Sequence, residues 1–380
     1  MSRRALDAYE RTLQGLARKG RRRALLAESG TDFTSNDYLA LANSPRLKAA
    51  ISAAVERGVP VGAGGSRLLR GNHPEHEALE FEAAVFFGAE RSLFFGSGYT
   101  ANSALFSTLP QRDDIIVHDA LIHASVHEGI AASKVQAVTA GHNDVDAFAG
   151  AIRKWRGAGG TGHPWIAVES LYSMDGDRAP LMELAALAEE HDGFLVIDEA
   201  HATGVFGPGG RGFSAALEGR ENVVVLHTCG KALGVSGALL GASRILCDYL
   251  VNRARGFIYS TAPSPLTAAA VREALRIAAE EPQRRAEFEA LSAFANAALA
   301  AMLGIEGSGS QIFPVMIGDN ARAVRIAARL RTDGFDIRAI RPPTVPEGTA
   351  RLRIAITLNV DRPAIAHMLE RLKVAMAEEW

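Results

Sequence analysis

The chain has 380 residues, 48% of them hydrophobic, enough for one large core and a smaller second one, because single cores stop growing near ~250–300 residues. Its 41 basic and 43 acidic side chains leave a formal charge of −2, which removes the electrostatic basis for binding nucleic acid or an anionic membrane. Cys229 and Cys247 are the 2 cysteines, too few for a disulfide framework or a zinc site; with no signal-peptide pattern in the basic N-terminus, a cytoplasmic protein is expected.

Residues 1–42 read as a separate N-terminal arm, with a helix up to about Leu26 and a short extended piece at residues 33–35. Arg21, Arg22 and Arg23 within it read as a solvated helix end, too short a run for a nucleic-acid site. From about Glu75 onward helical and strand patterns alternate, the mark of an α/β fold with a mostly parallel sheet. Apolar runs suited to buried strands occupy residues 91–95, 114–117, 165–169, 194–198, 223–227 and 238–241. Helix-period stretches such as residues 181–191 lie between them, and the glycine-rich segment 157–162 reads as a surface loop. After Pro265 come long alanine-rich helices, residues 266–279 and 282–303. A strand at 312–317, a helix at 321–332, strands at 335–340 and 351–357 and a closing helix at 362–376 make a second α/β lobe. The expected domains are the arm, a large domain over residues 43–275 and a small C-terminal domain over residues 276–380. No run approaches the ~18 consecutive apolar residues of a membrane span.

The chemistry-bearing residues gather where strands end. Thr228, Cys229, Gly230, Lys231, Ala232, Leu233 and Gly234 follow directly on the strand at 223–227, which puts Lys231 where open α/β sheets collect ligands. A lysine at a strand end is more often simply solvated, so its weight comes from its company. The strand at 194–198 ends in Asp198, followed by Glu199, Ala200 and His201. A carboxylate there suits a pyridine nitrogen that must stay protonated to serve as an electron sink. A metal on Asp198 and Glu199 is the alternative, but no cluster of ligand spacing accompanies them. Gly96, Ser97, Gly98, Tyr99 and Thr100 form a glycine turn at a helix start, a place for phosphate that lacks the Walker lysine and the full dinucleotide fingerprint. His123 begins another helix, and the loop from Glu169 to Asp177 is rich in hydrogen-bonding groups.

In this order the loops resemble those of the α-oxoamine synthases, enzymes of fold type I that use pyridoxal 5′-phosphate (PLP), on the branch that serves biotin biosynthesis. The resemblance runs through nearly the whole chain. It includes Ser35, Asn36, Asp37 and Tyr38; residues 62–67; the motifs around Gly98, His123, Ser173, Asp198 and Lys231; Tyr259, Ser260 and Thr261; and residues 341–346. Gly234 followed by Val235 rather than a second glycine, the run Ser173 to Asp177 and the run Arg341 to Thr349 favour the biotin branch; Glu199 and Cys229 depart from the usual residues.

The resemblance implies a fold-type I transferase: a large domain on a mostly parallel, seven-stranded type of sheet, and a smaller C-terminal α/β domain. It makes Lys231 the Schiff-base lysine, Asp198 the partner of the pyridine nitrogen, His201 the group on the phenolic oxygen and His123 the histidine stacked over the ring. Gly98, Tyr99, Ser173 and Thr228 correspond to cofactor-binding positions, with Thr228 and the glycine turn toward the phosphate. Arg21, in a register that leaves Arg22 and Arg23 open as alternatives, Asn36, Arg341 and Thr344 match substrate contacts, and Arg353 matches the arginine that holds the amino-acid carboxylate. Implied, too, is decarboxylative condensation of L-alanine with a pimeloyl thioester carried on coenzyme A or acyl carrier protein. The same resemblance implies a homodimer with its active site at the subunit interface, where Ser260 or Thr261 reaches the phosphate of the other subunit. No metal, nucleic acid or membrane is expected. Two rivals stand beside this reading: another PLP reaction on the same fold, and a subunit of that fold that only binds a partner.

Overall fold

A computed structural model describes residues 4–378, and the chain divides into two compact units. The larger unit takes residues 39–173 and 178–286; the smaller takes the chain up to Tyr38, residues 174–177 and the chain from Glu287 onward. The first and last few positions of the expected arm and small domain, residues 1–3 and 379–380, lie outside the described residues.

Helix α1 (Arg4–Arg18) is shorter than the sequence reading of a helix to Leu26. Gly20 stops it at φ 64°, with the Arg21 N–H on the Leu16 carbonyl and the Gly20 N–H on the Ala17 carbonyl, a Schellman ending. Strand β1 (Thr31–Asp32) pairs in parallel with Phe335–Asp336, so residues up to Tyr38 join the C-terminal unit instead of standing apart as the arm expected over residues 1–42.

The larger unit opens with α2 (Pro45–Glu56) and α3 (Pro74–Phe87), each with proline in its first turn, where the missing N–H costs nothing. There follow β2 (Arg91–Phe95), α4 (Gly98–Phe106), β3 (Ile115–Asp119), α5 (Ala124–Ser133), β4 (Gln136–Ala140) and α6 (Val145–Gly157). Next come β5 (Pro164–Glu169), α7 (Leu181–Glu190), β6 (Phe194–Asp198), β7 (Val223–Thr228) and β8 (Ala238–Ala242). Helices α8 (Arg244–Arg253), α9 (Arg255–Ile258) and α10 (Pro265–Glu280) close the unit. Its seven strands lie in the order β2-β8-β7-β6-β5-β3-β4; β3 to β7 run parallel and β8 antiparallel to both its neighbours.

Strand alternation sends successive side chains to opposite faces, and both faces are covered. Ile116, Trp165, Val196, Val224 and Leu240 enter one core with α4 and α5; Ile115, Ile166, Ile197 and Val225 enter the other with α6 and α7. The sequence reading lacks β4, because this edge strand carries polar Gln136 and Thr139 and is only partly buried. Helix α10 packs on α2 and α3, with Arg272 pairing to Glu75 and Glu82 and Arg46 to Glu273 and Glu280. Those ion pairs hold it in the larger unit, so the division falls after Ala286 rather than at the expected residue 275.

The division lies within α11 (Pro282–Leu303), after which come β9 (Ile312–Gly318), α12 (Asn320–Thr332), β10 (Phe335–Asp336), β11 (Arg338–Ile340), β12 (Ala350–Ala355) and α13 (Arg362–Glu378). The single strand expected at 335–340 is thus two: β10 pairs with β1, whereas β11 joins the three-stranded sheet β11-β12-β9. Helix α11 is long and apolar enough to cross a membrane, but Leu291, Ala295 and Leu299 on one face enter the core of the smaller unit with Val315, Ile326, Leu352 and Leu369.

Candidate active site

Four parallel strands and the loops behind them deliver the site. Gly98, Tyr99, His123, Asp198, His201, Thr228 and Lys231 line one cavity of about 200 Å³ at the carboxyl ends of β3, β5, β6 and β7, joined there by Asn102, Ser125 and Glu169. Ser173 is not in that lining; its backbone N–H donates to Glu169 Oε2 at 3.1 Å. Half-buried Lys231 places Nζ 2.7 Å from His201 Nε2. Asp198 is held on both oxygens: the Ala200 N–H donates to Oδ1 at 2.9 Å and Asn102 Nδ2 donates to Oδ2 at 2.8 Å.

Asn102 Nδ2 also donates to Ser125 Oγ at 3.0 Å, and that hydroxyl lies 2.8 Å from His123 Nδ1. With both amide hydrogens of Asn102 used, the Ser125 O–H is free to donate to Nδ1. The Ser125 N–H points at the same nitrogen at 3.3 Å, so Nδ1 is the acceptor and the ring proton sits on Nε2. His123 lies at the solvent edge, yet the atoms crowding it withdraw enough water to lower its pKa; Asp198 opposes this and Lys231 adds to it. A neutral His123 with an Nε2–H donor is the result. Tyr99 meets the His123 ring edge-on at 6.2 Å and donates its hydroxyl to Glu128.

Asn102 and Ser125 escaped the sequence reading, although their spacing contains a signal. Asn102 stands one helical turn beyond Gly98, on the same face of α4, and Ser125 is two residues past the N-cap His123. Glu169 ends β5 as Asp198 ends β6, and the two are direct partners in the parallel ladder.

The expected substrate residues all lie in the smaller unit. Arg353 and Arg351 project from the same face of β12, the central strand of its sheet, while Leu352 and Ile354 fill the core. Arg351 pairs with Asp175; Arg353 Nη2 donates to Asn36 Oδ1 at 2.9 Å, and the Tyr38 hydroxyl donates to that same oxygen at 3.0 Å. The second group surrounds residues 341–347: Arg341 donates to the Gly20 carbonyl, Arg23 Nη2 to Thr344 Oγ1 at 3.0 Å and Arg21 to Glu347. Arg21 therefore has its charge matched by Glu347, and it is Arg23 that stands beside Thr344.

The cavity suits PLP. Gly98 leaves open the space that a Cβ would occupy 3.6 Å from Thr228 Oγ1, at the N-terminus of α4, where helix N–H groups favour a phosphate. Asn102 Oδ1 and Glu169 Oε1 are buried without a hydrogen-bond partner, as in a polar site that a ligand completes.

The family model for class I and II aminotransferases matches residues 28–372. The chain is 41% identical over its full length to 8-amino-7-oxononanoate synthase of Anaeromyxobacter dehalogenans (strain 2CP-1), covering 98% of that protein. It is 42% identical to the synthase of Chromobacterium violaceum, over 89% of this chain and 87% of that one. Among solved structures it is similar to serine palmitoyltransferase of S. paucimobilis with PLP and myriocin bound (TM-score 0.90, 25% identity, 100% and 99% of the chains). It is also similar to 8-amino-7-oxononanoate synthase of Francisella tularensis (TM-score 0.77, 28% identity, 93% and 99% of the chains). The shared backbone fixes the cofactor class and leaves the substrate to the sequence, where the identities are higher. By fold, site and sequence the chain belongs to the class I and II aminotransferase family of PLP enzymes, on the branch of the 8-amino-7-oxononanoate synthases.

Proposed function

We propose that the enzyme condenses L-alanine with a pimeloyl thioester to give 8-amino-7-oxononanoate. One carbon–carbon bond forms between alanine Cα and the thioester carbonyl, the thiol leaves, the alanine carboxylate departs as CO2 and Cα takes up a proton. The observation that carries this reading is the Lys231 amine 2.7 Å from His201 in a cavity walled by Asp198, in a chain 41% identical to such synthases.

Bound PLP supplies an electron sink for negative charge developing at alanine Cα. Lys231 Nζ is the base at the Cα proton, and His201 holds that amine in place. Asp198, held in place by the N–H groups of Asn102 and Ala200, keeps a proton on the pyridine nitrogen. The Nε2–H of neutral His123 donates to the oxyanion that forms on the thioester carbonyl. Arg353, beside Asn36, holds the alanine carboxylate in the bidentate manner that guanidinium allows. Arg341, Arg23 and Thr344 serve the distal carboxylate of the pimeloyl chain, a second charge that one arginine cannot also reach. Coenzyme A or acyl carrier protein bears the acyl group.

A homodimer is the active form, and exposed Val61, Leu69, Phe81 and Val85 of the larger unit provide apolar surface for a second copy. Ser260 and Thr261, also exposed, serve the other subunit's phosphate. Buried free Cys229 and Cys247, both with raised thiol pKa values through desolvation, fit a reducing cytoplasm. Mass spectrometry of the product from alanine and pimeloyl-CoA tests the reading: the amino ketone is expected, and product only from glycine or serine overturns it.

A further inference from the structure

Tyr38 has no role in the scheme above, yet it stands at the centre of the polar group that holds Arg353. Its ring is fully buried and tilted against Phe288 with centroids 6.1 Å apart, and Gln311, the residue before β9, is as completely enclosed. Both are tied by backbone to the chain that follows β12. The Leu358 N–H donates to the Tyr38 carbonyl at 3.0 Å and the Ile356 N–H to the Gln311 carbonyl at 2.9 Å.

The chemistry of the partners fixes the direction of each hydrogen bond. Arg353 Nη2 can only donate, so the Asn36 atom 2.9 Å from it is the amide oxygen. The Tyr38 hydroxyl donates to the same oxygen at 3.0 Å, and the two donors fill its lone pairs. Desolvation raises the Tyr38 pKa; the charge of Arg353 and hydrogen bonds from Arg353 and Gln311 oppose this without reversing it. The phenol therefore keeps its proton for Asn36 while its oxygen accepts from Arg353 and Gln311. With Oδ1 committed, the NH2 group of Asn36 is the end that remains to donate to a ligand.

We propose that Tyr38 is a positioning residue for the amino-acid carboxylate: its hydroxyl holds the Arg353 guanidinium and orients the Asn36 amide, so that guanidinium and NH2 group are presented to one carboxylate. An amide turned the other way would offer an anion its oxygen, an acceptor; the Tyr38 O–H disfavours that state. Gln311 serves Tyr38 in turn, as a donor that locks the phenol. The inference rests on the assignment of Arg353 to the alanine carboxylate and is independent of the acyl chain.

The test uses the holoenzyme and two amines, alanine and ethylamine, which is alanine without its carboxylate. Both react at the same cofactor carbon and change its absorbance, but only alanine has a carboxylate for Arg353 and Asn36. Tyr38→Phe keeps the ring against Phe288 and removes only the hydroxyl. It should weaken alanine binding by about tenfold and leave ethylamine within about twofold of wild type. Gln311→Met, which spares Tyr38 itself, should weaken binding of alanine alone by about threefold. In an Arg353→Ala background, Tyr38→Phe should cost alanine binding less than about twofold, because the two side chains act as one unit. Equal losses for alanine and ethylamine would mark a role in the fold only and sink the proposal. So would wild-type alanine binding by Tyr38→Phe, or a loss of about tenfold that persists without Arg353. If Arg353→Ala binds alanine like wild type, the carboxylate assignment itself falls, and the proposal with it.

Discussion

At the scale of single residues, the site works through hydrogen bonds that leave each titrating group one role. Asp198 has both oxygens engaged, which fixes the carboxylate that is to keep the pyridine nitrogen protonated. Asp198→Asn should therefore retain PLP while losing on the order of 10²-fold or more in rate, since a neutral amide cannot hold that proton. Stopped-flow absorbance with alanine measures it, and a wild-type response would remove Asp198 from that role. Ser125 acts one step away, holding Nδ1 of His123 as an acceptor. Ser125→Ala should leave deuterium exchange at alanine Cα near wild type, because Lys231 performs it, and lower condensation by about tenfold, the kinetic equivalent of ~1.4 kcal/mol. Equal losses in exchange and condensation would show that Ser125 serves the fold rather than His123.

At the scale of elements, strand periodicity assigns the arginines. Arg351 and Arg353 share a face of β12, and both are buried, but Asp175 claims Arg351 while Arg353 Nη2 donates to the neutral amide of Asn36. The family resemblance gives Arg353, the second of the two, to the incoming carboxylate, and guanidinium suits it by its bidentate geometry. Arg353→Ala should weaken alanine binding by roughly 1.5–3 kcal/mol with cofactor absorbance unchanged, whereas Arg341→Ala should leave alanine binding alone. Spectral titration with alanine alone separates them, and the reverse pattern would exchange the two roles. The sites on α4 and α5 obey the same logic of spacing: Gly98 and Asn102 are one turn apart, so a phosphate-end glycine and an Asp198 partner arrive on one helix face.

At the scale of the whole molecule, the exposed apolar residues Val61, Leu69, Phe81 and Val85 lead to an expected dimer. Sedimentation velocity of the holoenzyme should give twice the chain mass, 40.4 kDa, at micromolar concentration, and activity should fall on dilution as the dimer dissociates. A fully active monomer would contradict the shared-site reading. The strand-end motifs were legible in the sequence because a buried parallel strand is a continuous apolar run, and whatever polar residue follows it stands at the ligand edge of the sheet. The positions of Lys231 and Asp198 were readable on that ground, together with the α/β class; His201, His123 and the PLP family came from the resemblance of the loops. Strand β4 was not, because it is a polar, partly buried edge strand, and the split of β10 from β11 and the place of residues 31–38 were not, because they depend on the pairing of β1 with β10, distant in sequence. The same is true of the chain from Asp198 through Asn102 and Ser125 to His123, and of Glu169 beside Asp198. Local pattern determines which segments are strands and what stands at their ends; only the tertiary structure decides which ends are neighbours, because register and hydrogen-bond partners are set by packing between segments far apart in the chain.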